Sequence, residues 1–544
     1  MTSLEIRRRD GLARTGIYQS SGQDIPFPSV APMTDLFPSL LRRGLSNVPL
    51  EVDPAFAATY HVRGEEEPFS LHPYHIPDVS HGSCVMVPGW HTALANPARY
   101  VDWLISLKEQ VPPDTLWYAP AAALPGIVAF LLYSGFDLFD DTGVDLKSSQ
   151  NLFCTPEGTF PAEWVHEKVC TCPGCQDGDL RQHNRIALRT ELALCSRFIG
   201  RGQLRELVES RCRMDAAQVA VLRRLDERYG FLEPRYPIVR DAPMLANSGE
   251  AFSRVEVKRY AERVTSRYRP PRAEVAVLLP CSARKPYSLS RSHRKFHAVI
   301  RGRAHELIIT SPLGLVPREL EGIYPAAHYD VPVTGYWDRE ELAWVSSVIA
   351  GYLCRHPYRR LVAHLEGGAL TAAEMAAERC GISLERTVTD SPGNPASLEA
   401  LDRSLDGERR LPETSLVRGI LSWQFDIEID TRGFWLRRKG SETFILRGKE
   451  QLFSISPTAG LCIPTFAGWK VLGEGYRVGI DNFVPKGDIL APGVLSADAR
   501  IREGDEVLVT GEGVLATGKA AMGATEMLSS RRGVAVRVRK VLKG

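Results

Sequence analysis

The 544-residue chain has no apolar run approaching the roughly 18–20 residues that a membrane span requires. Its opening, MTSLEIRRRD, lacks the apolar core of a secretory signal. A soluble, cytoplasmic protein is the expectation. Net charge is also nearly absent: 67 Lys and Arg stand against 65 Asp and Glu, a formal balance of +2. The total is uninformative, because the distribution is uneven. Cysteine is odd in number, and Cys195, Cys354 and Cys462, scattered singly through apolar segments, read as buried thiols rather than a disulfide framework. What remains, 44% hydrophobic and 24% charged residues, is ordinary globular composition. The length calls for several domains.

Charge and cysteine are both uneven in place. The last segment, RRGVAVRVRKVLKG, holds six Lys/Arg and no acid. Arg531, Arg532, Arg537 and Arg539 alternate there with apolar residues, as a solvated edge strand or as a footprint for phosphates. The stretch CTCPGCQDGDLRQHN brings Cys170, Cys172, Cys175 and His183 within fourteen residues. Three thiolates and an imidazole suit tetrahedral Zn²⁺, and four protein ligands make a closed, structural site. Such an ion pins the helix beginning near Gln182 to the loop before it.

Hydrophobic pattern predicts the organisation. DTLWYAPAAALPGIVAFLLYSGFDLFDD reads as strand, helix and strand ending in acids, and NRIALRTELALCSRFI and DAAQVAVLRRLDERYG as amphipathic helices. From about Tyr268 short strands (EVAVLLP, HELIITSP, RRLVAHLEGG, SLERTVTDSPGNP) alternate with helices, which implies a mostly parallel sheet. Asp338 and Glu341 form a capping box for one helix, and Thr371 and Glu374 for the next. After residue 399 the strands QFDIEID, GFWLRRKG, TFILRGKE and LFSISPT suggest a small sheet domain, and the last ~70 residues another. The expected fold is multidomain α/β, with domains at 1–245, 255–398, 399–473 and 474–544.

Ligands of open α/β sheets sit beyond the carboxyl ends of the strands. Three loops converge there: PCSARKPY, SPLGLVPRELEGIYP and EGG. The first opens PCSARKPYSLSRSH, which sets a thiol, an amine and an imidazole at one strand's tip. A cysteine after a buried strand is more often a packing residue, so the motif as a whole has to carry the functional reading. Glu319, Asp330 and Glu366 lie in the same loops, as surface carboxylates or as ligands for an amine.

Four stretches together resemble one family. LEIRRRDGLARTGIYQSSGQDIPFPSVAP is similar to the opening of archaeal tRNA-guanine transglycosylases, and GFDLFDD, the Cys-x-Cys-x-x-Cys and the following HN keep that family's order. ILAPGV through RRGVAVRVRK looks like a PUA domain, an RNA-binding module. Pro-Cys-x-x-x-Lys-Pro-Tyr-x-x-Ser-x-x-His is the signature of archaeosine synthase, the transglycosylase paralogue, with every fixed position present: Pro280, Cys281, Lys285, Pro286, Tyr287, Ser290 and His293. The resemblance covers nearly the whole chain. It implies a truncated transglycosylase-like α/β domain carrying the zinc site, a central catalytic α/β domain with a parallel sheet, a small pre-PUA α+β domain rich in strand, and a barrel-like PUA domain.

Asp140 matches the transglycosylases' nucleophile. No DSGGFQ-like segment supplies their second aspartate, and the N-terminal region is shorter than the ~250 residues of a complete eight-fold barrel. Asp140 is thus expected as a vestige, in a base pocket or as structure.

The implied activity is addition of an amine to the nitrile of 7-cyano-7-deazaguanine at position 15 of the tRNA D-arm. The implied donor is free lysine, with glutamine, asparagine or ammonia as alternatives, and a radical-SAM partner then cleaves the adduct. A homodimer is left open. In this reading Cys281 attacks the nitrile, Lys285 and Arg284 favour its thiolate, His293 gives a proton and Tyr287 stacks on or hydrogen-bonds the base. Ser290 belongs to the same catalytic set. Direct attack by the amine, with Lys285 or His293 polarising the nitrile, is the non-covalent variant. The rivals are base exchange and a non-catalytic tRNA scaffold.

Overall fold

The computed structural model describes residues 3–20, 22–41, 48–61, 66–332, 336–412 and 416–543. The chain divides into two compact units, Met1–Pro237 with Val478–Gly544, and Ile238–Arg477.

In the first unit, Ser3–Asp10, Ala13–Ser20 and Gln23–Phe27 pair antiparallel in chain order. Ser29–Val30, Leu138–Phe139, Leu116–Tyr118, Cys84–Met86 and Phe69–Ser70 lie side by side as a parallel sheet of five short strands. The predicted strand, helix and strand appear as Leu116–Tyr118, Pro125–Tyr133 and Leu138–Phe139. That helix is buried on nearly every side, which is why its sequence shows no one-sided apolar stripe. Arg14 joins the two sheets. Its guanidinium grips Asp137 at 2.9 and 2.8 Å and donates to the carbonyls of Pro113 and Thr115. Asp137 also accepts from the backbone N–H of Trp117 at 2.9 Å. Burying this pair is tolerable because so many of its polar atoms are satisfied.

The C-terminal segment forms a six-stranded, nearly closed barrel in the order Ile489–Leu490, Val534–Lys543, Val514–Ala520, Glu506–Gly511, Arg477–Ile480, Val494–Ala497. It packs within the first unit. Arg502 Nε donates to Glu233 at 2.7 Å, the Arg531 backbone N–H to Asp114 at 2.9 Å, and Arg9 pairs with Glu526.

The second unit is built on the sheet Gly314–Pro317, His305–Thr310, Val275–Pro280, Arg360–Ala363, Leu384–Arg386. All neighbours are parallel except the edge strand Gly314–Pro317. Val275–Leu279 and His305–Thr310 are buried throughout, as strands covered on both faces must be. The chain begins at the central strand, goes to one side through His305–Thr310, then returns to the other through Arg360–Ala363. The reversal makes the carboxyl end of Val275–Pro280 a topological switch point. A four-stranded antiparallel sheet, Phe434–Lys439, Glu442–Arg447, Glu450–Ile455 and Cys462–Pro464, follows.

Three local expectations change. Gln424 and Phe425 of QFDIEID end the helix Leu416–Phe425, whose apolar residues outweigh the alternation after them. Helix Gly367–Cys380 starts a turn before Thr371, with Glu366 at its N-cap and no side-chain cap. Thr371 instead donates back to the Gly367 carbonyl at 3.3 Å. Cys354 is not a buried thiol: it forms a disulfide with Cys380, Cα–Cα 5.6 Å. The neighbouring helices Arg339–Arg355 and Gly367–Cys380 bring the two residues together from 26 positions apart. Asp338 caps the first of these as expected, accepting from Glu341 N–H at 2.8 Å.

Candidate active site and metal site

The motif Pro280–His293 leaves the sheet at the switch point and returns as a helix. Ser290 is its N-cap, accepting from the His293 backbone N–H at 3.2 Å at the start of Arg291–Ile300. His293 is fully buried. Its Nε2 lies 2.9 Å from the Pro280 carbonyl and its Nδ1 2.8 Å from Arg318 Nη2. A guanidinium only donates, so Nδ1 is the acceptor and the proton sits on Nε2, bonded to Pro280. Burial, with Arg318 adding to it, pushes the imidazole's pKa down to about 4. Both ring nitrogens are spoken for. These bonds tie His293 to the strand end that carries Cys281.

Arg318 extends the clamp. It also donates to Glu306 at 2.8 Å and to Glu321 at 2.7 Å, and Glu321 accepts from the backbone N–H of Ser288 at 3.0 Å. Arg318 and His297 overcome burial to hold the Glu306 carboxyl down at about 2. A charged residue inside the apolar strand HELIIT was the sequence signal for this network, because a buried carboxylate demands a partner. Tyr287, expected against the base, is fully buried. Its hydroxyl meets that of Tyr329 at 2.8 Å, and Tyr329 meets Thr310 Oγ1 at 2.5 Å.

Cys281 and Lys285 are left facing outward. Cys281 is exposed and free. The surrounding protein nevertheless raises its thiol pKa, while the Thr310 hydroxyl and the Lys285 ammonium pull it down. Lys285 thus acts in the expected direction without prevailing, and Arg284 is exposed. The Lys285 ammonium lies 4.0 Å from the Tyr329 ring centroid. Burial lowers its pKa, against the pull of Cys281 and Asp330. Asp330 therefore belongs to this neighbourhood. Glu366 stays exposed at the start of the adjoining helix. Glu319 does not belong: it is buried against Tyr268 and His305.

The expected metal ligands converge. One ligand atom from each of Cys170, Cys172, Cys175 and His183 lies within 4.8 Å of the others. His183 Nδ1 is 3.4 Å from Cys172 Sγ and 3.3 Å from Cys175 Sγ. Its Nε2 donates to the Cys154 carbonyl at 3.0 Å, and Phe153 stacks on the ring at 3.7 Å. The second nitrogen's bond fixes the tautomer that leaves Nδ1 as a ligand, the outer-shell arrangement of metal-bound histidines. Asn184 holds the same strand, accepting from Cys154 N–H at 2.8 Å. Gly174 is required, because a Cβ there would sit 2.4 Å from the His183 nitrogen. The four residues can hold a metal, with three sulfurs and one nitrogen as donors.

Asp140 ends the strand Leu138–Phe139. It accepts from Tyr118 Oη at 2.5 Å, Thr142 N–H at 2.8 Å and Ala121 N–H at 3.1 Å. A carboxylate so engaged organises its loop. Of the four C-terminal arginines, Arg539 is held bidentate by Glu506 at 2.8 Å, and Arg532 lies where a Gly82 Cβ would meet it at 2.5 Å. Arg531 and Arg537 are exposed.

The chain matches the family model described as a domain of unknown function (DUF5591) over residues 257–405, and that of the PUA domain over 477–542. It is 40% identical over 504 residues to the archaeosine synthase subunit alpha of Methanosarcina acetivorans, covering 86% of this chain and 81% of that one. Against the archaeosine synthase of Haloferax volcanii it is 38% identical over 466 residues, 81% of this chain and 79% of the relative. A tRNA-guanine(15) transglycosylase of Methanothermobacter thermautotrophicus aligns at 26% identity over 474 residues, 81% of this chain and 68% of the relative.

Two expectations follow. Purified protein carries about one metal ion per chain, and Cys172→Ser loses it and melts earlier; elemental analysis with thermal denaturation checks both, and unchanged metal content would exclude this cluster. The second is a pH effect. An unfolded histidine protonates near 6.5, whereas folded His293 resists until about 4. Stability contributed by neutral His293 is therefore complete above 6.5 and lost as pH falls toward 4, costing roughly 2 kcal/mol by pH 5. Urea unfolding at pH 7 and pH 5 should show a shallower pH dependence in His293→Gln by about that amount.

Proposed function

This chain belongs to the archaeosine synthase family, and on that premise we propose that it adds a primary amine, free lysine, to the nitrile of 7-cyano-7-deazaguanine at position 15 of tRNA. The observation that carries the reading is the exposed Cys281 thiol at the switch point, with Lys285 electrostatically coupled to it. In the first step sulfur attacks the nitrile carbon. The S–C bond forms, one C–N π bond breaks, and the nitrogen takes a proton. In the second step the donor amine attacks the thioimidate carbon, the C–N bond forms, the C–S bond breaks and the thiol is restored. The product is an amidine, with every atom of nitrile and amine retained. A radical-SAM enzyme would complete the pathway downstream.

Lys285 takes the proton-donor role, because its ammonium is electrostatically coupled to the Cys281 thiol and burial lowers its pKa. His293 is a positioning residue, acting on Cys281 through the Pro280 carbonyl. The raised thiol pKa means the resting nucleophile is protonated; Lys285 gives its proton to the nitrile nitrogen and regains one from the thiol as sulfur attacks, so the first step balances. The PUA domain supplies tRNA affinity, and the metal at Cys170, Cys172, Cys175 and His183 is structural zinc. Base exchange is disfavoured by the bonds that Asp140 already makes.

Cys281→Ala is expected to abolish adduct formation on nitrile-bearing tRNA with lysine while keeping its melting temperature and tRNA affinity. Wild type with nitrile-tRNA alone should trap a conjugate visible by intact mass. His293→Gln should stay within about tenfold of wild type, since Gln can bond both Pro280 and Arg318, whereas losing a general acid costs about 10²–10⁴. Near-normal turnover by Cys281→Ala would exclude the covalent route. Loss of turnover with no conjugate would favour direct amine attack.

A further inference from the structure

Two strands of the small antiparallel sheet, Phe434–Lys439 and Glu442–Arg447, form a hairpin with one face turned to solvent. Alternation puts Phe434 and Leu436 on the covered face and Trp435, Arg437 and Lys439 on the open one. The register sets Trp435 opposite Leu446, Arg437 opposite Phe444 and Lys439 opposite Glu442. Trp90, Trp103, Trp117, Trp423 and Trp469 are all buried, whereas Trp435 is 41% exposed. Its indole is nonetheless held, with Nε1 donating to the Gly448 carbonyl at 2.8 Å. The Arg437 guanidinium lies 5.2 Å from the Phe444 ring centroid.

Arg437, Lys439, Arg447 and Lys449 are exposed, and among the described residues none of them forms an ion pair. Glu442 and Glu450 are the hairpin's acids. The C-terminal strand, by contrast, spends Arg539 on Glu506. A pre-set aromatic plate among unpaired cations is the surface that single-stranded nucleic acid uses: bases stack on the ring and phosphates meet the cations. A run of acidic side chains with no rings would meet the cations and leave the indole uncovered.

We infer that this hairpin is an RNA-binding surface, with Trp435 stacking on an unpaired base and Arg437, Lys439 and Lys449 contacting flanking phosphates. The inference rests on tRNA being the substrate and adds a contact surface separate from the PUA domain. It is tested on the full chain with Trp435→Ala, Trp435→Phe and the triple Arg437→Gln, Lys439→Gln, Lys449→Gln. The probes are a tRNA transcript, a single-stranded RNA oligonucleotide and polyglutamate, with circular dichroism to confirm folding.

The triple variant should weaken RNA binding at least tenfold near 150 mM salt and flatten the log–log salt slope by roughly 2–3, at ~0.7–0.9 per phosphate contact. Trp435→Ala should weaken it about tenfold or more, and Trp435→Phe should restore most of that. Adduct formation at saturating tRNA should keep its kcat while KM rises. Unchanged affinity and slope in the variants would overturn the inference. So would equal losses for polyglutamate and RNA with Trp435→Ala neutral, since that is the signature of an acidic protein partner. If wild type makes no lysine adduct yet the variants still lose RNA, the proposed reaction falls and the hairpin site stands. If wild type binds no RNA, both fall.

Discussion

The hydrogen bond from His293 Nε2 to the Pro280 carbonyl is the constraint on which the candidate site depends. Pro280 ends the central strand and Cys281 is the next residue, so whatever fixes that carbonyl fixes where the thiol begins. The clamp is itself held from both sides. Ser290 caps the helix that presents His293, and Arg318 fills the other ring nitrogen while gripping Glu306 and Glu321. The motif's spacing then has a mechanical meaning. Thirteen residues separate the acceptor from the imidazole, enough for a loop to leave the sheet, present Cys281 and Lys285, and return as a capped helix. Tyr287 is buried where that loop turns back, its hydroxyl tied to Tyr329 and so to Thr310 at the end of the neighbouring strand.

Each unit has a parallel sheet and a reactive side chain at a strand's carboxyl end, but the two are in opposite states. Asp140 is saturated by two backbone N–H groups and a phenol. A carboxylate in that condition gains nothing by attacking carbon, because it would first have to give up bonds that organise its own loop. Cys281 is exposed, with the Thr310 hydroxyl and the Lys285 ammonium as its polar neighbours. The fold places candidate nucleophiles at both sheet edges, and they differ in how many hydrogen bonds hold them. This supports the reading in which chemistry belongs to the second unit and the first supplies a platform.

Much of this was legible from residues alone. The metal cluster was legible because ligand spacing is local: three cysteines and a histidine within fourteen residues need little tertiary help to meet. The strand ends were legible because apolar runs and Gly/Pro loops are local too. Roles inside the motif were not. Whether His293 gives protons or holds a carbonyl depends on Arg318, 25 residues away, and no periodicity reports that pairing. Glu319 was misplaced for the same reason, since its partners Tyr268 and His305 lie 51 and 14 residues off. The Cys354–Cys380 pairing required the helix packing itself.

Charge shows the same dependence on tertiary context. The basic C-terminal strand suggested an RNA footprint at the chain's end. Sequence counts charges, but binding uses only those not already neutralised at close range. Arg539 is twice bonded to Glu506 and Arg532 is packed against the Gly82 backbone, so recruiting either for a phosphate means first breaking an intramolecular contact. On the small antiparallel sheet Arg437, Lys439 and Lys449 are exposed and, among the described residues, outside any carboxylate's grip, Arg437 beside the Phe444 ring, and the indole near them is already oriented. Side-chain ordering is a main cost of binding a flexible polyanion. A surface with its aromatic plate preset meets less of that cost, so the hairpin can add to what the exposed Arg531 and Arg537 of the C-terminal domain offer a polyanion.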